Sequence, residues 1–270
     1  MTASGFRLRA PAPHGVRAAA VLLAAGLIVA AAPLASQSPA APARQALIDD
    51  LVAANRILAN EGVVDGYGHV SVRNPADSNR YFLARAGAPA LVTSADIVEY
   101  DLDSAPVSGT GTGYTERFIH GEIYKARPDV KAVVHCHCLD VIPFAAARVP
   151  LRPMYHMGYF IGEGVPVFDI RESAGLTDML VSTPALGRTL ARVLGPRSAA
   201  LMRGHGAVAV ADSLHVAVAK AYYLNVNARL QSDAMQLRGS GVTYLDPEEA
   251  KKAVQTYERS WEFWKSRLPR

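Results

Sequence analysis

The stretch Thr115–Cys138, TERFIHGEIYKARPDVKAVVHCHC, joins a helical pattern to a strand that carries two histidines. Between Glu116 and Arg127 the apolar residues Phe118, Ile119, Ile123 and Tyr124 recur at separations of one, four and five, which predicts a helix. Pro128 and Asp129 make a turn, and Lys131–Val134, KAVV, is β-branched and apolar as a strand should be. Successive side chains of a strand leave on opposite faces, so His135 and His137 leave on the same one. Two imidazoles so placed form a chelating pair. Glu116 lies at the helix start, three positions after Gly113. A carboxylate there is either a charge that suits the positive end of the helix dipole or a member of the site.

A catalytic zinc usually takes three protein ligands and keeps a position open for water or substrate. The third candidate is His205 in Leu201–Val210, LMRGHGAVAV, where Gly204 and Gly206 let the backbone come close. Alone, a histidine between glycines is a turn residue; beside an HxH strand it is a ligand candidate. Val63–Val72 contains a bend at Gly66–Gly68 that feeds a short strand and delivers His69 and Ser71 as substrate contacts, His69 having turn capping as its other reading. Tyr81–Leu83 and Leu91–Thr93 predict paired strands around a loop that holds Arg85. Its guanidinium either grips a substrate carboxylate bidentately or lies on the surface. Pro150–Pro166 gathers Tyr155, His156, Met157, Tyr159 and Phe160, which suits a pocket for a flat substrate or a subunit contact.

Further helices are expected over Gln45–Glu61, Val141–Ala147, Thr183–Leu194 and Ser213–Gln236, and strands over Ile97–Leu102, Ala199–Met202 and Ala207–Val210. One amphipathic helix is expected from Asp246 onward, with Asp246 as N-cap, Pro247 at N1, and Trp261 and Trp264 on one packing face. The two cysteines, Cys136 and Cys138, face away from the histidines in a regular strand. A bridge between positions two apart would be badly strained there, so they are expected as unbridged packing residues.

Residues 1–43 carry Arg7, Arg9 and Arg17, no acidic residue, and the apolar run Ala18–Leu34 followed by small residues and prolines. That composition predicts a secretory signal peptide with a small-residue linker, hence export, to the periplasm; an uncleaved anchor is the alternative. Removing it leaves 25 basic against 24 acidic residues in a domain spanning 44–270. A near-neutral domain offers no electrostatic reason to bind nucleic acid. No membrane partner is expected once the signal is removed.

The landmarks GHVSVR at Gly68–Arg73, LVT at Leu91–Thr93, the Glu116–Tyr124 helix, RPDVKAVVHCH at Arg127–His137 and RGHGAV at Arg203–Val208 keep a characteristic order and separation. In these the chain resembles the class II aldolase/adducin family, from about Leu51 to about Tyr244. The resemblance implies an α/β fold, three-layer α/β/α with a largely antiparallel central sheet. It implies one divalent metal ion per subunit, zinc, manganese or iron, on His135, His137 and His205, with Glu116 as acid/base residue. It also implies a homotetramer with sites at subunit interfaces.

The chain departs from the family's sugar-phosphate aldolases where they bind phosphate. His69 stands in place of an asparagine, Ser94, Ala95 and Asp96 in place of a Pro-Thr-Gly turn, and Tyr114 and Thr115 in place of a serine pair. Negative charge and bulk there disfavour a dianion. His156 falls near the position of those enzymes' catalytic tyrosine and is taken as a second catalytic candidate. The chain is closer to the branch with metal-dependent decarboxylases of hydroxylated aromatic or pyridine carboxylic acids. A metal-dependent carbon-carbon lyase acting on a small, non-phosphorylated hydroxy-carboxylic or hydroxy-carbonyl substrate is therefore expected, a decarboxylase first. An aldolase on a sugar-like substrate, an adducin-like binding module and an iron-dependent oxygenase are the alternatives.

Overall fold

Strand alternation divides the sheet residues between two cores. The computed structural model describes residues 40–269, so the expected signal peptide lies almost wholly outside the described residues. The strands are β1 (His69–Arg73), β2 (Arg80–Ala84), β3 (Ile97–Asp101), β4 (Pro106–Ser108), β5 (Ala132–Cys136), β6 (Val167–Phe168), β7 (Ala199–Met202) and β8 (Gly206–Ala211). They form one sheet in the order β4-β3-β2-β1-β5-β8-β7-β6, with every pairing antiparallel except β6 with β7. The helices are α1 (Ala40–Asn60), α2 (Phe118–Ala126), α3 (Ile142–Ala147), α4 (Arg171–Ala174), α5 (Pro184–Leu194), α6 (Leu214–Arg238), α7 (Pro247–Lys252) and α8 (Glu258–Ser266).

Val70, Val134, Ala207 and Ala209 face a core closed by α1, α3, α6 and α8. Their neighbours Val133, Val208 and Val210 face a second core closed by α2 and α5. The expected three-layer arrangement is what forms. Ile119 and Ile123, four apart on α2, are fully buried, each worth roughly 1.5–3 kcal/mol of transfer free energy. Helix α5 approaches α2 closely because Gly187 lacks a side chain: a Cβ there would press on the Phe118 carbonyl oxygen.

Arg73 ties α2 to β1. Buried on the α2 side of the sheet, its guanidinium donates to the carbonyls of Val130 (3.0 Å), Tyr124 (2.7 Å), Arg127 (3.1 Å) and Ser78. Two of these carbonyls belong to the last turn of α2 and its C-cap, which have no intrahelical partner of their own.

Two expectations fail for backbone reasons. Leu91–Thr93 is not a strand: Pro89 starts a 3-10 turn over Pro89–Leu91, Ser94–Asp96 forms another under a Thr93–Asp96 capping box, and β2 pairs with β3 instead. The C-terminal helix divides into α7 and α8 at Tyr257, whose positive φ of 60° interrupts the helix while its hydroxyl donates to the Met157 carbonyl (2.7 Å). Asp246 does cap α7, and Trp264 packs on Tyr222 of α6 within the same chain. No helix among the described residues is long and apolar enough to cross a membrane.

Replacing Arg73 with methionine strands several buried carbonyls. Urea unfolding is expected to show a loss of about 3 kcal/mol. An unchanged midpoint would remove Arg73 from this role.

Candidate metal centre

Register brings the site together. His135 on β5 lies opposite His69 on β1 and Val208 on β8. Its ring leaves on the face of Val133, toward α2. β5 ends at Cys136, so His137 stands one residue beyond the ladder. His205 sits in the turn between β7 and β8, where Gly204 has a φ of 66° and Gly206 one of 155°. A Cβ on Gly206 would overlap the Cys136 carbonyl, so this turn can lie against the end of β5 only with glycine. Glu116 is buried in the 3-10 turn Thr115–Arg117 that leads into α2.

One ligand atom from each of Glu116, His135, His137 and His205 lies within 4.8 Å of all the others. His205 Nε2 is 3.1 Å from His137 Nε2 and 3.4 Å from Glu116 Oε2, and His135 Nε2 is 3.5 Å from the same carboxylate oxygen. Atoms arranged tetrahedrally at about 2.1 Å around one ion sit roughly 3.4 Å apart. Tautomers agree with that spacing. His135 Nδ1 donates to the Ala207 carbonyl (3.1 Å) and His205 Nδ1 to the Met179 carbonyl (3.0 Å), which leaves both Nε2 lone pairs bare. Buried His135 Nε2 has no hydrogen-bond partner among the described residues. A divalent cation fits this donor set.

Protonation points the same way. Burial, reinforced by His135 and His205, pulls His137 down to about 4, so it offers a lone pair at neutral pH. Burial alone would raise the Glu116 carboxyl, but His135 and His205 together outweigh it and hold Glu116 well below its ordinary value. Burial lowers His205, and its contact with Glu116 more than offsets this, raising it overall. Metal binding competes with protonation of His205, which the Glu116 contact favours.

The cluster opens into a cavity of about 530 Å³ lined by residues that include Tyr67, His69, Tyr114, Glu116, His137 and Leu180. Tyr67 stacks on His137 (6.0 Å between centroids, 24°), and the Tyr114 ring lies 4.5 Å from that of His69. Burial pushes the Tyr114 phenol up to about 12, and it donates to the Gly87 carbonyl (2.7 Å).

The profile of the family described as Class II Aldolase and Adducin N-terminal domain matches residues 49–232. The chain belongs to this family. Its relatives include decarboxylase tropJ of Talaromyces stipitatus, 38% identical over 235 residues that cover 77% of this chain and 88% of that protein. A 3,4-dihydroxyphthalate decarboxylase of Arthrobacter keyseri is 30% identical over 216 residues, covering 73% and 81% respectively. Among solved structures, L-fuculose 1-phosphate aldolase from Glaciozyma antarctica PI12 superposes with a TM-score of 0.66 at 25% identity, covering 83% of this chain and 88% of that one. The class II aldolase/adducin family is thus an enzyme family with decarboxylase and aldolase members, whose aldolases use a divalent metal.

Within this family member the structure brings Glu116, His135, His137, His205 and His69 together, and it places three other candidates elsewhere. Ser71 is fully buried and bonds to His120 and Tyr124, so it stands behind the cavity wall, out of reach of a substrate. Arg85 does not line the cavity; its Nε donates to Asp96 Oδ1 at 2.6 Å, which engages the guanidinium that was to hold a carboxylate. His156 is exposed in the 3-10 segment His156–Glu163, whose Phe160 and Ile161 belong to the core on the opposite face of the sheet. One protomer therefore does not bring His156 to the cluster.

The cysteines are bridged, contrary to expectation. β5 stops at Cys136, so the ladder does not hold residues 137 and 138, and the Cα atoms of Cys136 and Cys138 lie 5.3 Å apart, inside bridging range. Both cysteines belong to the α6-side core, so the bridge clips His137 from behind. The sequence reading missed His120 and took Tyr124 only as an apolar helix residue, although they lie four and eight positions after Glu116, a spacing that one helix face brings together.

His137→Ala is expected to lower the metal content of purified protein below that of the wild type, as measured by elemental analysis; full occupancy would remove His137 from the ligands. Replacing Cys136 and Cys138 together with serine is expected to weaken metal affinity by about 10- to 100-fold, the range for losing a group that orients a ligand. Unchanged affinity by calorimetry would mean that the backbone alone places His137.

Proposed function

We propose that this chain is a divalent-metal-dependent lyase that removes carbon dioxide from a hydroxylated aromatic carboxylic acid. The observation that carries the reading is the convergence of three imidazoles and one carboxylate, of which Glu116 and His137 line a cavity that also includes Tyr67 and Tyr114. A zinc, manganese or iron ion on His135, His137 and His205 would act as a Lewis acid toward charge growing on substrate oxygen, an effect worth several kcal/mol.

Glu116 supplies the proton chemistry. Its Oε1 accepts from the Val181 N–H (2.9 Å), which orients the carboxylate and leaves Oε2 facing the histidines. From there Oε2 takes the substrate hydroxyl proton and returns it to the ring carbon as the carbon-carbon bond breaks. The tyrosine walls suit a flat ring. Asp96 favours a substrate without phosphate, because Thr93 spends both its amide (2.8 Å) and its hydroxyl (2.7 Å) on that carboxylate. The decarboxylase names of two relatives support the same choice.

The same proposal takes residues 44–270 as the enzyme domain and 1–43 as an export signal. A disulfide suits the periplasm, since bridges persist in oxidising compartments. A homotetramer is also proposed, with Leu91, Leu139 and Leu176 as exposed apolar side chains available for subunit contacts.

Metal-loaded protein assayed against hydroxy-aromatic acids and short aldols is expected to release carbon dioxide. Aldehyde release would indicate an aldolase, oxygen uptake an oxygenase, and less than one ion per chain an adducin-like module. Glu116→Gln is expected to keep its metal and lower kcat by at least about 100-fold; undiminished turnover would take the proton chemistry away from Glu116.

A further inference from the structure

Behind the cavity wall, four buried polar side chains that the metal cluster does not use form a single hydrogen-bonded file. His69 Nδ1 is 2.6 Å from His120 Nε2, His120 Nδ1 is 2.6 Å from Ser71 Oγ, and Ser71 Oγ is 2.8 Å from the Tyr124 hydroxyl. Ser71 and His120 are fully buried, Tyr124 is 1% exposed and His69 4%. β1 supplies His69 and Ser71 from one face, and α2 supplies His120 and Tyr124 from one side of its helix.

Each junction permits either atom to donate; with Ser71 using its one hydrogen inside the file, the file runs in one of two directions. The two directions differ in which end of the file carries the outward hydrogen. Tyr124 has one hydroxyl hydrogen, and Ser71 Oγ is its hydrogen-bond partner among the described residues. A buried hydroxyl whose hydrogen finds no acceptor costs about 1–3 kcal/mol. With Tyr124 donating to Ser71, the serine hydrogen goes to His120 Nδ1. Neutral His120 then carries its proton on Nε2 and donates to His69 Nδ1. Neutral His69 must in turn carry its proton on Nε2. That nitrogen makes no hydrogen bond within the described protein, and its ring lines the cavity beside Glu116 and His137.

The opposite direction turns the Tyr124 hydrogen away from Ser71, toward the Val133 backbone beside it. It would also present a fourth bare imidazole nitrogen next to the cluster, since the His69 and His135 rings are 5.0 Å apart. The first direction leaves the His69 Nε2 hydrogen facing the cavity and keeps His69 out of the ligand set.

We propose that His69 is an obligate hydrogen-bond donor, through Nε2–H, to a carboxylate oxygen of the substrate, and that His120, Ser71 and Tyr124 are positioning residues that hold it in that tautomer. The identity of the acceptor rests on the lyase reading above; the tautomer does not.

Two measurements test the halves separately. Nitrogen-15 NMR of histidine-labelled protein, metal-free and zinc-loaded, is expected to show both His69 and His120 protonated on Nε2. His69 protonated on Nδ1 would overturn the proposal. Ser71→Ala is expected to give His69 mixed tautomers, and an unchanged single tautomer would deny the file its positioning role. For the acceptor, salicylate serves as a carboxylate probe by calorimetry on zinc-loaded protein. His69→Leu is expected to weaken its Kd by about 10-fold or more with metal content unchanged, as for a lost hydrogen bond to a charged group. His69→Gln, which keeps an N–H near the same place, should recover most of that loss. Equal binding by the wild type and His69→Leu, or no binding by the wild type, would overturn the donor role. Failure of the wild type to decarboxylate any acid bears on the lyase reading alone, because neither tautomer nor Kd depends on turnover.

Discussion

The site depends on holding lone pairs together that would otherwise repel. Carbonyls of Ala207 and Met179 take the Nδ1 protons of His135 and His205, so both rings must aim bare nitrogens at one point with the Glu116 carboxylate. In water such an arrangement would rotate apart. Here β5 is clamped between β1 and β8, and side chains in a close-packed interior have little room to turn. The energy that keeps the cluster assembled comes from the aliphatic cores above and below the sheet, not from the cluster.

One loop shows where strain is concentrated. Met179 has a φ of 66°, uncommon for a residue with a side chain, and sits between Asp178 and Leu180 in the segment that supplies the acceptor for His205 and the Val181 donor for Glu116. A backbone held in a sparsely populated region persists where its surroundings over-determine it. Both contacts of this loop run to members of the cluster, orienting His205 and Glu116 at once. The Cys136–Cys138 bridge does a similar job on the other side for His137, which the sheet itself no longer holds.

A shared fold leaves the reaction open, since aldolases and decarboxylases of this family use one scaffold. What distinguishes this chain is the cavity wall. Tyr67 and Tyr114 offer aromatic faces, His69 offers a polar edge, and Asp96 occupies the amide and hydroxyl of Thr93. These are features of side-chain chemistry on the family's backbone plan.

Much of this protein was legible in its sequence because the signals were local. The HxH spacing, the RGHG turn, the β-branched run before His135 and the three- and four-residue periods of α6 each follow from geometry within a few residues. Short or exposed elements such as β4 and β6 carried no such signal, nor did the break between α7 and α8, where Tyr257 meets Met157 from 100 residues away in the chain. The roles of Ser71, Arg85 and His156 were beyond it too, because a residue's neighbours across the sheet decide whether a polar group faces a cavity, an ion pair or solvent. Sequence by itself determined which side chains are candidate metal donors and which face of β5 His135 takes. Tertiary structure alone decided which way their protons point, since a tautomer is set by the partner on the far side of the ring, and here those partners come from other strands, loops and helices.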